Sequence, residues 1–156
     1  MDNDVMQKLI QIRMKSNRPF EITVQGISML PVLKLGDIIT IQKQENYKIG
    51  DILVFSYKNK ELLVHRLLKI KNNKYYCKGD NAFRLEDIEF EQIVGKVLCK
   101  VSNGKIHEIK YSNFKLKLVC YFSMQINKSF IKSRYSIENA KASFYYKIFD
   151  FLYLSK

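Results

Sequence analysis

The chain has 156 residues, 47% of them hydrophobic, and a formal net charge of +12. This length fits one domain with short appendages, and the apolar share excludes disorder throughout. So strong a positive charge directs the surface toward anionic partners: membrane lipid, nucleic acid or an acidic peptide.

Val5, Leu9 and Ile12, with Met6 and Ile10 beside them, fall at helical spacing. They predict a short N-terminal helix over 4–15, with Asp2 or Asp4 as cap and Pro19 as its end. From Phe20 onward the period changes. β-Branched and aromatic runs predict strands over Phe20–Val24, Ile38–Gln42, Ile52–Tyr57, Leu62–Ile70, Tyr75–Lys78, Ile93–Val101 and Ile106–Tyr111. Between them stand a loop from Gly26 to Pro31 and turns at Ile49-Gly50-Asp51, Lys58-Asn59-Lys60, Asn72-Asn73 and Asn103-Gly104. The last is the strongest hairpin signal, because both of its residues tolerate positive φ. Short strands at this spacing predict a mainly β fold, a coiled antiparallel structure that is closed or partly closed.

Helical spacing returns weakly at Phe114, Leu118, Phe122, Ile126 and Phe130. It is stronger from Ile137 through Ala140, Phe144, Ile148 and Phe149 to Tyr153, with Ser136 as a cap and Glu138 in the first turn. The chain thus divides into a β-domain with a short N-terminal helix over 1–112 and a basic, aromatic helical extension over 113–156. The extension holds 8 basic and 2 acidic residues, against 19 and 13 in residues 1–112. A basic amphipathic helix of this kind can lie on an anionic membrane surface or cover one face of a β-core.

The longest run without a charged residue is Ile22–Leu33, which contains a Gly and a Pro and falls well short of the roughly 20 apolar residues that a membrane span needs. The opening MDNDVMQKLIQIRMK has no apolar core of the secretory kind. A cytoplasmic or peripheral-membrane location is expected. Cys77, Cys99 and Cys120 are odd in number, widely spaced and form no CxxC pair, so free thiols are expected, with no disulfide framework, metal site or cofactor.

Three pieces of the sequence carry chemistry. In Val24-Gln25-Gly26-Ile27-Ser28-Met29-Leu30-Pro31 a serine sits in a turn bounded by Gly26 and Pro31. Such a turn can hold a hydroxyl and present backbone N–H groups, as a nucleophile and an oxyanion hole require. Gly26 is expected to supply backbone freedom and Pro31 to set the exit direction. His65, in a strand-like run, has an imidazole suited to taking and returning a proton near neutral pH. Lys78-Gly79-Asp80-Asn81, followed by Asp87 in an acidic stretch (Glu86, Asp87, Glu89, Glu91), offers a carboxylate that could orient the imidazole. Taken singly, these are an ordinary loop serine, a strand histidine, a turn and a solvated acidic loop.

Their order is more telling. VQGISMLP, two Gly-Asp turns (36–37 and 50–51), the run Ile52–Phe55, Val64-His65-Arg66, KGDN and IVGKV together resemble the type I signal peptidases over residues 20–100. Histidine before the arginine is similar to the endoplasmic-reticulum-type branch, where the usual bacterial branch has lysine. The resemblance implies Ser28 as nucleophile, His65 as general base, and Asp80 or Asp87 as the carboxylate on the histidine. It places Gly26, Met29 and Pro31 along the substrate, and implies a coiled antiparallel β-fold shared with the self-cleaving SOS-repressor proteins. A peptide or protein precursor is then the expected partner, cleaved to release a leader or signal segment, and nucleic acid is not expected. Two other functions remain open: a self-processing regulator, and a non-catalytic basic β-module that binds lipid or nucleic acid.

Overall fold

The computed structural model describes residues 18–58, 61–110 and 112–154. The helix expected over 4–15 lies outside these residues, as do Asn59 and Lys60 of the turn at 58–60. Among the described residues the seven predicted runs and one further segment form eight strands: β1 (Phe20–Thr23), β2 (Ile38–Gln42), β3 (Ile52–Tyr57), β4 (Glu61–Lys71), β5 (Lys74–Lys78), β6 (Glu86–Ile88), β7 (Ile93–Ser102) and β8 (Lys105–Glu108). They make one sheet in the order β1-β2-β7-β3-β4-β5-β6, with β8 also on β7. Every pairing is antiparallel. The fold is a mainly antiparallel β half-barrel followed by a helical region, as the strand spacing predicts. Register shifts at Thr40/Ile41, Val54/Phe55 and Leu67/Lys69 bend the strands where they occur.

Coiling covers both faces of β3. Ile52 and Val54 pack with Val24, Met29, Leu33, Ile39, Ile41, Val94 and Val97. Leu53 and Phe55 point the other way, among Tyr47, Leu67, Cys77, Ile88 and Ile93. A strand buried on both sides reads as a continuous apolar run, which explains Ile-Leu-Val-Phe in place of alternation. Burying Phe55 completely contributes about 2–3 kcal/mol. The Asn103-Gly104 turn has φ of 51° and 72°, as its sequence predicts.

Two expectations need correction. The acidic stretch is not all loop: Glu86–Ile88 is β6, paired with β5. The C-terminal region is also not one long helix after a weak one. Residues 113–132 form the longest helix, α1 (Asn113–Lys132), capped by the Ser112 side chain on the N–H of Lys115. The stronger pattern breaks into α2 (Ile137–Ala142), capped by Ser136 as expected, and α3 (Phe144–Phe149), closed by a π-helical turn, Asp150–Leu154. The break is at Ser143, whose extended backbone and side-chain bond to the N–H of Tyr146 begin a new helix. Val119, Ile126, Phe149 and Tyr153 from this region pack with Val32 and Phe83 of the β-domain loops.

Candidate active site

Ser28 lies in the turn between β1 and β2. Buried neighbours on each side, Val24 and Met29 with Leu33, fasten this turn to the core. Inside the turn, the N–H of Leu30 donates to the carbonyl of Ile27 (3.2 Å) and that of Leu33 to Met29 (3.0 Å). His65 stands on β4 opposite Leu53, 5% exposed, with its ring edge-on to Phe55 at 6.0 Å.

Coiling of the sheet brings loop and strand together. His65 Nε2 is 3.1 Å from Ser28 Oγ, and His65 Nδ1 is 2.8 Å from Glu86 Oε2. The chemistry of the third group fixes the tautomer. A carboxylate only accepts, so Nδ1 carries the proton donated to Glu86, and the lone pair of Nε2 faces the serine hydroxyl. The His65 and Glu86 side chains are 7% and 12% exposed, so water screens this contact little.

The carboxylate on the imidazole is therefore Glu86, in place of the expected Asp80 or Asp87. Strand alternation is the reason. Successive side chains on a strand point to opposite faces, so Arg66 leaves β4 on the side away from His65, and Asp87 leaves β6 on the side away from Glu86. Asp80 accepts a fork of bonds from Arg66, Nε to Oδ1 at 2.9 Å and Nη2 to Oδ2 at 2.7 Å, with both side chains fully buried. Arg66 Nη1 also donates to the carbonyl of Gly50 at 2.9 Å. Asp87 pairs with Lys74 at 2.9 Å, both about half exposed, and this contact holds its carboxyl below the ordinary value. In the sequence Glu86 is one member of an acidic run, and Asp80 and Asp87 are favoured over it. Its signal was the spacing to Ile88: two residues apart on a strand, they share the inward face.

The Gly79-Asp80-Asn81 turn holds the serine loop against β4. The N–H of Asn81 donates to the Ser28 carbonyl at 2.7 Å, and Asn81 Nδ2 reaches the Ile27 carbonyl at 3.3 Å. A Cβ at Gly79 would stand 2.6 Å from the Ser28 carbonyl oxygen and 3.0 Å from His65 Nε2. Beside them Lys78 is fully buried, with Nζ donating to the Gly79 carbonyl at 2.9 Å. Burial pushes its ammonium down to about 8, against the opposing pull of Asp80 and Glu86.

The three residues expected along the substrate have different surroundings. Met29 is 2% exposed within the core, so it anchors the turn and presents no surface to a ligand. Pro31 is half-buried and follows a cis peptide bond. Gly26 is exposed, has no positive φ, and a Cβ there would meet nothing within 4 Å. Its place reflects open space beside the turn and no special backbone conformation. Among the described residues, no group of three or more His, Cys, Asp or Glu could hold a metal ion, and no helix is long and apolar enough to cross a membrane.

The sequence model of a family described as Peptidase S24-like matches residues 4–98, a span that includes Ser28, His65 and Glu86. No curated protein matches the chain.

Proposed function

The chain belongs to the Peptidase S24-like family, and from that premise we propose that it is a serine endopeptidase of the signal-peptidase type. It removes a leader or signal segment from another polypeptide, and its catalytic residues are Ser28, His65 and Glu86. One observation carries this reading: a serine hydroxyl, an imidazole and a carboxylate in series at 3.1 Å and 2.8 Å.

Ser28 Oγ attacks the scissile carbonyl carbon while its proton passes to His65 Nε2. Glu86, bonded to Nδ1, keeps the ring in place and stabilises the imidazolium that forms. The oxyanion needs donors. The N–H of Ser28, which makes no backbone hydrogen bond among the described residues, is available as one. Collapse of the intermediate breaks the C–N bond, and His65 gives its proton to the leaving amine. Water then attacks the Ser28 ester, losing a proton to the same nitrogen. The carboxylic acid product departs and the serine hydroxyl is restored.

The test uses fluorogenic peptides with alanine before the cut, incubated with the parent, Ser28→Ala and His65→Ala. We expect cleavage by the parent alone. Equal cleavage by all three proteins overturns the reading. The same geometry serves self-cleavage, for which the family gives precedent. Fragments that accumulate when the pure protein is incubated alone, at a rate independent of concentration, favour that alternative. The exposed Phe114, Phe144 and Phe151, in a region with 8 basic and 2 acidic residues, support its docking on an anionic membrane surface.

A further inference from the structure

We propose that the C-terminal helical region is a brace for the catalytic turn, and that Tyr153 is the positioning residue through which it acts. This rests on the peptidase reading but concerns residues outside the three proposed to react. The Tyr153 hydroxyl donates to Asp80 Oδ2 at 2.8 Å and accepts from Arg66 Nη2 at 3.1 Å. It thus closes a ring of buried polar contacts in which Arg66 and Asp80 are both fully enclosed. Tyr153 is itself 5% exposed, its ring packed on Phe149 at 5.0 Å.

Asp80 is the centre residue of the turn that bears on the site. Its neighbour Gly79 lies against the Ser28 carbonyl and His65 Nε2, and its neighbour Asn81 bonds that same carbonyl. A tyrosine near the end of the chain therefore reaches the proposed nucleophile through one carboxylate and one turn. A second tie runs parallel to it. Asn127 Nδ2 of α1 donates to the Phe83 carbonyl at 2.8 Å, and the Phe83 ring stacks on Tyr146 of α3 at 5.7 Å. The segment from Gly79 to Glu86 is thus held on one side by the sheet and on the other by the helices. A site that must fix its groups within a fraction of an ångström needs such outer support.

The test compares the parent with Tyr153→Phe, which keeps the ring and removes only the hydroxyl, and with Asn127→Ala. Tyr145→Phe removes a hydroxyl from the same helical cluster without touching Asp80 and serves as the control. Two readouts are taken on fully folded protein. The first is amide hydrogen exchange of Asn81, whose N–H bonds the Ser28 carbonyl. It is expected to accelerate about tenfold in Tyr153→Phe while the amides of β3 and β7 stay as in the parent. The second is hydrolysis of the fluorogenic peptides, where kcat falls about tenfold and KM stays within twofold, because Tyr153 holds the catalytic turn and not the substrate. The Tyr145→Phe protein matches the parent in both. If Asn81 exchange is unchanged, or rises only in step with β3, the brace is refuted whatever the peptide assay shows. If no protein cleaves but Asn81 responds as described, the brace holds and the peptidase reading fails.

Discussion

Gly79→Ala adds one methyl group at the closest approach between the catalytic turn and the proposed nucleophile. Glycine is not needed here for its φ, so the effect is one of space. The new Cβ would lie 2.6 Å from the backbone oxygen of Ser28 and 3.0 Å from both His65 Nε2 and Ala82 Cβ. Ordinary contact begins near 3.4 Å, so the serine loop and the turn must separate by about 0.8 Å. Neither can do so freely, because Met29 and Leu33 hold the loop in the core and Asn81 bonds the same carbonyl. A shift of that size takes Ser28 Oγ out of hydrogen-bond reach of an imidazole now 3.1 Å away. Misplacement approaching 1 Å costs roughly 100-fold in rate. Overpacking costs about 1–3 kcal/mol of stability, or roughly 5 °C in a domain of this size. The assay is kcat/KM on the alanine-bearing fluorogenic peptides at a temperature where circular dichroism shows the variant folded. A Gly79→Ala protein that keeps a third or more of the parent's activity refutes the reasoning.

Glu86→Gln should lower kcat roughly 1,000-fold, because a neutral amide cannot stabilise the imidazolium, while Asp87→Asn should stay within twofold, since it breaks only an exposed ion pair. Equal losses from the two would return the role to Asp87. Lys78 has a folded-state value near 8, below its ordinary 10.5, so between those pH values the unfolded chain holds a proton that the folded chain has released. Stability therefore rises with pH across that window, and the cost of burying the charge is fully present below it, on the order of 3 kcal/mol. Urea denaturation from pH 7.5 to 10.5 should show the parent gaining on Lys78→Met, and parallel curves would contradict this. Burial pushes the Cys77 thiol up, and Cys120 up to about 11, whereas Cys99 is partly exposed. N-ethylmaleimide at pH 7.5 should label Cys99 first and the other two only on unfolding, as peptide mass mapping would show.

The strands were legible wherever one face is buried or a turn has a distinctive residue. Ile52–Tyr57 was found from its apolar run, and the β7–β8 hairpin from Asn103-Gly104. β6 was hidden because it is three residues long and two of them are acidic, so local polarity outweighed the spacing of Glu86 and Ile88. That one short strand also concealed the partner of His65. Ser28 and His65 could be singled out because each is rare in its surroundings and their order resembles a known pattern. Choosing among Asp80, Glu86 and Asp87 required knowing which faces of β4 and β6 meet, a tertiary fact that no local pattern encodes. The helical region lies where the spacing predicts it, but its break at Ser143 is not legible, for a similar reason. Apolar spacing does not reveal that Ser143 caps a helix, nor that the half-buried pattern of α1 is matched by loops from the β-domain.

The most direct measurement is a set of four kinetic constants: those of Ser28→Ala, His65→Ala, Glu86→Ala and the triple variant. Groups that act as one unit lose their effect together, so the triple variant should be no slower than Ser28→Ala alone, each at least about 1,000-fold below the parent. Losses that multiply from one substitution to the next, or a Ser28→Ala protein as active as the parent, would contradict the account.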